Sequence, residues 1–316
     1  MYPETTNSTC LNQELAILIS MKKLLLIFNP KSGTQNFATL LFKVVDRFTA
    51  AGFFATVYPT QASGEAREIT SCFASEYDYL VCSGGDGTVS EVINALLNLE
   101  KRPILGLIPS GTVNDFAKSL GIPKNILVAT SIIINLKSTL LDVGCFEGQY
   151  FSYVAAFGMF TDVPYATPQN SKNSFGKLAY FMEGIKRIGT TESYPCKFVL
   201  DDEEIKGDFT LCIISNAHSV AGIKMTKKMQ VEMSDGLFEV VLIRTPKTLS
   251  EHQKIIASLL AQESKTDLVI IRKAKKVQFS SEMPVAWTLD GDFGGEYTKA
   301  VIENKHKAIE IITPTP

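Results

Sequence analysis

The sequence predicts two domains of different class: an N-terminal α/β domain built on a mainly parallel sheet, and a C-terminal β-rich domain of sandwich type. Three observations carry that expectation. Apolar strand-like runs alternate with helix-like ones over residues 21–140. The ends of three of those strands carry loops of unusual composition, FNPKSG, CSGGDGT and IPSGTVND. From about residue 140 onward, strands follow one another with a single helical interruption.

Each element follows from local pattern. KLLLIF (23–28) is a short apolar strand ending at Asn29-Pro30. Phe37, Leu40, Leu41, Val44, Val45, Phe48 and Ala51 recur at helical spacing, and Gly52 closes that helix. FFATVYP, YDYLVCS and PILGLIP (103–109) read as further strands. Between them lie a helix in GEAREITSCFA and one from Thr88 to Leu97, its buried stripe being Val89, Val92, Ile93, Leu96 and Leu97. A helix after Thr112 stops at Gly121 before Pro123. Alternation with short connections implies a mainly parallel sheet covered on both faces. In the second half, KFVLDDEEIKGDFTLCIIS is a hairpin, and LFEVVLIRT, LVIIR, KVQFSS and VAWTLD are strands; Leu249 to Ala261 is the one helix. The pattern does not assign the last strand, AIEIIT, to either domain. The expected boundaries are an extension over 1–20, an α/β domain over 21–140 with 305–316 as a candidate to complete it, and a β-rich domain over 141–304.

Composition narrows the function. In 316 residues, 31 Lys and Arg balance 33 Asp and Glu for a net charge of −2, which argues against nucleic acid as a partner. The six cysteines form no CxxC pair, so a zinc ribbon or thioredoxin-type site is not expected. Cys82 and Cys212 lie in apolar strands and read as buried thiols, consistent with a reducing cytoplasm. His218, His252 and His306 lack metal-type spacing. Residues 1–20 make a poor signal peptide, and no stretch approaches the ~20 apolar residues that span a bilayer. The expectation is a soluble chain that at most touches a membrane from one side.

The loops suggest the chemistry. Ligands of parallel sheets bind beyond the carboxyl ends of the strands, where these three loops should converge. Glycine lets backbone N–H groups approach an anion, and the following helix presents its positive end. Asp86, in the middle of GGDGT, would repel phosphate unless a cation stands between them; Mg²⁺ takes few carboxylates, water and phosphate oxygens. A Mg²⁺–nucleotide therefore suits Gly84-Gly85-Asp86-Gly87-Thr88, with Lys31 and Ser32 on one neighbouring loop and Ser110, Thr112 and Asp115 on another. The pattern is neither a Walker A loop, nor the dinucleotide GxGxxG, nor the protein-kinase set.

GGDGT with NPxSG upstream and PxGTxND downstream resembles the lipid kinase family of soluble diacylglycerol kinases, ceramide kinases and sphingosine kinases. FGMFTDVPY, GKLAYFMEGIKRI, MSDGLFEVVLI and WTLDGDFGGE extend the resemblance, in order, to the diacylglycerol kinases of Gram-positive bacteria, over residues 22–313. It implies a nucleotide domain of phosphofructokinase and NAD kinase type with a β-sandwich partner. It also implies ATP and Mg²⁺ as cofactors, a lipid alcohol at the cytoplasmic membrane face as substrate, and a homodimer by analogy. Carried over, Asn29, Pro30, Lys31, Ser32, Gly33, Thr60, Gly84, Gly85, Asp86, Gly87, Thr88, Glu91 and Thr112 hold ATP. Asp86, Asp115 and Asp142 form a carboxylate network around catalytic Mg²⁺. EMSDG implies a structural Mg²⁺ on the Asp235 side chain, with Glu232 and Leu237 through backbone carbonyls. LDGDFGG supplies the general base that takes the acceptor's proton. The family's LDGE is here LDGD, one methylene shorter, so Asp290 is the first choice and Asp292 the second; Asp290→Ala is expected to fold normally and lose transfer. Phe157, Met159, Phe160 and Tyr165 are candidates to line a cleft for acyl chains. The rival readings are an NAD kinase, which shares GGDGT, and a catalytically silent lipid-binding module.

Overall fold

A computed structural model of the chain describes residues 21–33, 37–158, 192–216, 219–220, 223–224, 233–261 and 266–314. Its contacts divide the chain into two units, one running to Thr139 and resuming at Glu310, the other Leu140–Ile309.

The first unit is α/β. Strands β1 (Lys22–Phe28), β2 (Phe53–Pro59), β3 (Tyr79–Gly84) and β4 (Ile104–Pro109) lie in the order β4-β3-β1-β2, all parallel. The last five residues of β1, β3 and β4 are all buried, as expected of strands covered on both faces. Helix Phe37–Ala50 buries Phe37, Val44 and Phe48 and packs on β2 and on helix Ile126–Ile134. Helices Glu65–Phe73 and Asp86–Leu96 pack on one another.

Helix Ile126–Ile134 is absent from the pattern reading because ILVATSIII is apolar almost throughout and shows no stripe. Its start is chemical instead: the Asn125 side chain accepts from the N–H groups of Leu127 and Val128, both at 3.1 Å. The helix expected between Thr112 and Gly121 shrinks to Asp115–Ser119, because Asn114 adopts a left-handed conformation (φ 56°) that no helix tolerates internally. The helix expected from Thr88 begins at Asp86, which moves that carboxylate from a loop into a first helical turn.

The second unit is mainly β. Strands β5 (Ser138–Phe146, crossing from the first unit), β6 (Gln149–Phe151) and β7 (Val154–Gly158) precede the hairpin β8 (Tyr194–Leu200) and β9 (Glu203–Ser215). The short pair β10 (Ser219–Val220) and β11 (Ile223–Lys224) comes next. Then come β12 (Phe238–Arg244), helix Leu249–Ala261, β13 (Val269–Ala274), β14 (Lys276–Leu289) and β15 (Asp292–Ile312). β9 and β14 each pair with β8 along one part of their length and with β7 along another, so the sheet turns over on itself. KVQFSS and VAWTLD are thus one strand; its register slips between Ser280 and Val285, which absorbs the polar SEMP segment. AIEIIT is the end of the 21-residue β15, and its Ile311 pairs in parallel with Leu105 of β4 in the first unit.

The enclosed core is aromatic: Phe146, Phe151, Phe157, Phe198, Phe209, Phe238, Phe279 and Trp287 are all buried. Phe157 corrects the expectation of an acyl-chain cleft. Its ring lies 5.0–6.2 Å from those of Tyr194, Phe198, Phe279 and Trp287, inside the core. Met159, Phe160, Tyr165 and the GKLAYFMEGIKRI segment lie outside the described residues. Cys82 and Cys212 are buried free thiols; burial pushes Cys82 up to about 12 and Cys212 well above the ordinary thiol value.

Phe157→Ala removes a ring with four aromatic neighbours and is expected to cost about 3–5 kcal/mol. Trp287, the only tryptophan, lies in this unit, so urea unfolding followed by its fluorescence checks the value; an unshifted midpoint would contradict the core assignment.

Candidate functional site

In the first unit, register brings the strand ends level: Phe28 opposes Pro59 and Ser83, and Gly84 opposes Pro109. The segments after all four strands therefore leave from one edge, and three of them touch. A β-carbon on Gly111 would fall 2.4 Å from the Gly85 α-carbon, and one on Gly33 (φ 64°) would fall 2.1 Å from the Ser110 carbonyl oxygen. No real side chain tolerates such distances. The three loops can meet only as bare backbone.

Asn29 shapes the first loop. Its side-chain oxygen accepts from Lys31 N–H at 2.9 Å and its carbonyl from Ser32 N–H at 3.1 Å, with Pro30 within the turn. Its amide reaches Thr88 Oγ1 at 3.5 Å. Gly85 caps helix Asp86–Leu96 with no side-chain acceptor, so the first-turn N–H groups at Asp86, Gly87 and Thr88 have no intrahelical partner. Ser110 is buried, its hydroxyl 3.3 Å from that of Ser83; Thr112 is exposed. A backbone nest at a helix N-terminus is a cradle for phosphate.

Asp86 points across to the short Asp115–Ser119 helix, accepting from Phe116 N–H at 3.2 Å. Burial pushes its carboxyl above the ordinary carboxylate value, with the neighbouring Asp115 charge adding to the push; backbone donors at Asn114–Phe116 pull it back. Asp115 pairs with Lys118 at 3.2 Å. The buried Asn114 Oδ1 has no hydrogen-bond partner among the described residues. Two neighbouring carboxylates and an orphaned acceptor beside a phosphate cradle fit Mg²⁺ held largely by phosphate and water.

Thr60 and Glu91 serve the loop after β2. Thr60 N–H donates to Phe28 carbonyl at 2.9 Å. Glu91 accepts from Gly64 N–H at 2.8 Å and the Ser63 hydroxyl at 3.4 Å. Glu65, which sequence reasoning missed, binds the same loop at Gln61 and Ala62 and accepts from the Tyr58 hydroxyl, all within 3.2 Å.

The other candidate carboxylates belong to the second unit. Asp142 is buried and accepts from Gly236 N–H (2.6 Å) and Lys307 N–H (2.7 Å), with His306 Nδ1 at 2.9 Å. It ties the Ser234–Gly236 turn to β15. His306, unremarkable in the sequence, is thus bonded to a buried acid. Among the described residues no three His, Cys, Asp or Glu side chains gather into a metal cluster. Asp235 pairs with Lys273, whose Nζ lies 2.9 Å from its Oδ2 and 3.4 Å from buried Glu239; burial pushes the Glu239 carboxyl up to about 7 against the pull of that ammonium. Leu237 N–H donates to Asp235 Oδ1 at 3.0 Å; Glu232 lies outside the described residues.

Asp290 and Asp292 flank the β14–β15 turn and differ completely. Asp290 is buried, and its carboxylate accepts four hydrogen bonds: Ser152 N–H and hydroxyl, both 2.7 Å, Tyr153 N–H at 3.0 Å and Val154 N–H at 3.1 Å. Burial pushes its carboxyl up while those donors pull it down. All four of its lone-pair directions are used. Asp292 is exposed, and its side chain makes no hydrogen bond to the described residues.

Comparison with known proteins extends across both units. The diacylglycerol kinase catalytic domain family matches residues 23–146. The diacylglycerol kinase of Bacillus subtilis (strain 168) is 31% identical over 297 residues, spanning 93% of this chain and 97% of that protein. That of Staphylococcus epidermidis is 31% identical over 294 residues, covering 93% and 92%. This chain belongs to the diacylglycerol kinase family. A crystal structure of a diacylglycerol kinase from Bacillus anthracis str. Sterne superposes with a TM-score of 0.74 at 26% identity, covering 93% of this chain and 98% of that one. A second structure from the same organism gives 0.79 at 27%, with the same coverage. The fold class, α/β followed by mainly β, is that of these kinases, and the family's ATP use and lipid substrates come with membership.

Gly111→Ala forces a β-carbon into the Gly85 backbone and is expected to weaken ATP binding at least about tenfold, the loss of ~1.4 kcal/mol, with helical content retained. Calorimetric titration at fixed Mg²⁺ checks this; an unchanged Kd would show that the crossing does not form the nucleotide site.

Proposed function

We propose that the protein transfers the γ-phosphate of ATP to the free hydroxyl of diacylglycerol, giving phosphatidic acid. The glycine crossing supports the nucleotide half of this reading: it leaves bare N–H groups at a helix N-terminus, with two acids adjacent. The names of the relatives support the acceptor half. Residues Gly84–Thr88, with Asn29–Gly33 and Thr112 on the neighbouring loops, hold the phosphates, and Glu91 holds the loop beyond Thr60. Asp86 and Asp115 are the residues that would hold Mg²⁺, which when bound spreads the charge of the phosphates.

In the transfer, the acceptor oxygen forms a bond to the γ-phosphorus as the bond to the β-phosphate bridge breaks, and ADP leaves. The acceptor's proton goes to a carboxylate. Asp292 is the better base: it is solvent-accessible with free lone pairs, whereas Asp290 has none to offer. Asp290 positions the turn that carries Asp292. Asp142 orients the Asp235 turn, and Asp235, with Glu232 and Leu237, is the candidate to hold a structural Mg²⁺, Lys273 lying at the same carboxylate.

No helix among the described residues is long and apolar enough to cross a membrane, so this reading has the enzyme meet its lipid at the cytoplasmic bilayer surface, where ATP is available. An NAD kinase activity is the weaker alternative, since the similarity to diacylglycerol kinases spans 93% of the chain and both units.

Purified protein supplied with labelled ATP, Mg²⁺ and separate lipid alcohols in mixed micelles should label diacylglycerol in preference to sphingoid bases, ceramide or NAD; preferential labelling of another acceptor would replace the substrate. Asp292→Asn is expected to lower kcat about a hundredfold or more without shifting the melting temperature. Asp290→Ala behaves differently, stranding four buried donors and costing roughly 3 kcal/mol or more of stability. Calorimetric melting of the two variants separates the roles, and an Asp290→Ala protein as stable as wild type would reverse the assignment.

A further inference from the structure

We propose that Phe293 is a lipid-contacting residue that engages the acyl chains of the substrate where they meet the bilayer surface, beside the carboxylate of Asp292. The inference rests on the lipid-alcohol reading above and adds a contact for the apolar part of the acceptor.

Phe293 is 72% exposed, whereas the other described phenylalanines of the unit are all buried in one core. Three features make that exposure a built one. Asp290 (φ 52°) and Gly291 (φ 92°) form a two-residue hairpin turn of the mirror-image type, and the four hydrogen bonds to Asp290 fix it against the Ser152–Val154 backbone. The ladder then slips: Leu289 pairs with Asp292 and Thr288 with Phe293, but Trp287 pairs with Gly295, leaving Gly294 as an extra residue. Gly294 and Gly295 are what permit the bulge, since a β-carbon on Gly294 would lie 2.8 Å from Leu289 Cγ and Gly295 adopts φ 109°.

Burial does not alternate at the start of β15. Opposite them, Leu289 is buried and Thr288 half-buried, yet Asp292 and Phe293 are both exposed in succession. A clamped turn thus presents a carboxylate and a phenyl ring in adjacent positions. An amphiphile whose hydroxyl adjoins its acyl chains has the same two needs: an acceptor for the hydroxyl proton, and an apolar surface that takes acyl-chain area out of water.

The test compares wild type, Phe293→Ser and Phe293→Leu on two acceptors: dioleoylglycerol in phosphatidylcholine vesicles, and short-chain dihexanoylglycerol free in solution. Phe293→Ser is expected to raise the apparent KM for the vesicle substrate about tenfold or more, the scale for withdrawing one phenyl from an apolar phase. Its KM for ATP should not change, and Phe293→Leu should recover most of the loss. Phe293→Ser should also co-sediment less with the vesicles than wild type does. An unchanged vesicle KM would overturn the proposal. So would an equal loss on both acceptors carried by kcat, which would make Phe293 a local support for Asp292. If wild type phosphorylates no lipid alcohol, the diacylglycerol reading fails by itself, and the co-sedimentation of wild type against Phe293→Ser still decides the role of Phe293.

Discussion

The first unit depends on a steric constraint: the backbones at Gly33, Gly85 and Gly111 come so close that a methyl group at the first or third would overlap main-chain atoms. Parallel register sets the strand ends level, and the missing side chains let the loops close over that edge. The same absence strips Gly85 of a capping side chain, so the helix beginning at Asp86 leaves its first-turn donors without an intrahelical partner. On the proposed reading, packing and binding are one feature seen twice. Asp86 then does two things at once, capping the short helix at Asp115 and holding a burial-raised carboxyl beside the cradle.

The second unit is organised by two buried acids that serve as hydrogen-bond hubs. Asp142 gathers the Ser234–Gly236 turn and the Lys307 segment of β15, and Asp290 gathers the β6–β7 turn. Charge-assisted bonds to backbone N–H groups are strong and geometrically exacting, so such acids position loops better than they exchange protons. An acid that must take a proton needs the opposite: access and unused lone pairs. One turn contains a fully bonded carboxylate and an exposed one, two residues apart, and the fold rather than the residue type separates them.

Much of this was legible in the sequence. Alternation of period announced the parallel sheet, and three glycine-bearing loops announced a common edge, because both signals are local. Asp290 and Asp292 could not be told apart, since the donors that occupy Asp290 come from Ser152 to Val154, far upstream in the chain. His306 gave no sign of its bond to Asp142 for the same reason. Helix Ile126–Ile134 hid because its apolar run has no stripe, and the start at Asp86 hid because GGDG reads as a turn until Gly85 is seen to cap a helix. The destination of AIEIIT depended on a pairing with β4 some two hundred positions earlier, which no window reveals.

The claim that bare backbone near Gly85 grips the nucleotide phosphates is tested most directly by residue-resolved amide hydrogen exchange with and without Mg²⁺–ATP. Slowed exchange concentrated at the amides of Gly85–Thr88 and of Ser110–Thr112 is the predicted result. Protection elsewhere in the chain with those amides unchanged, under conditions where ATP is bound, would contradict it.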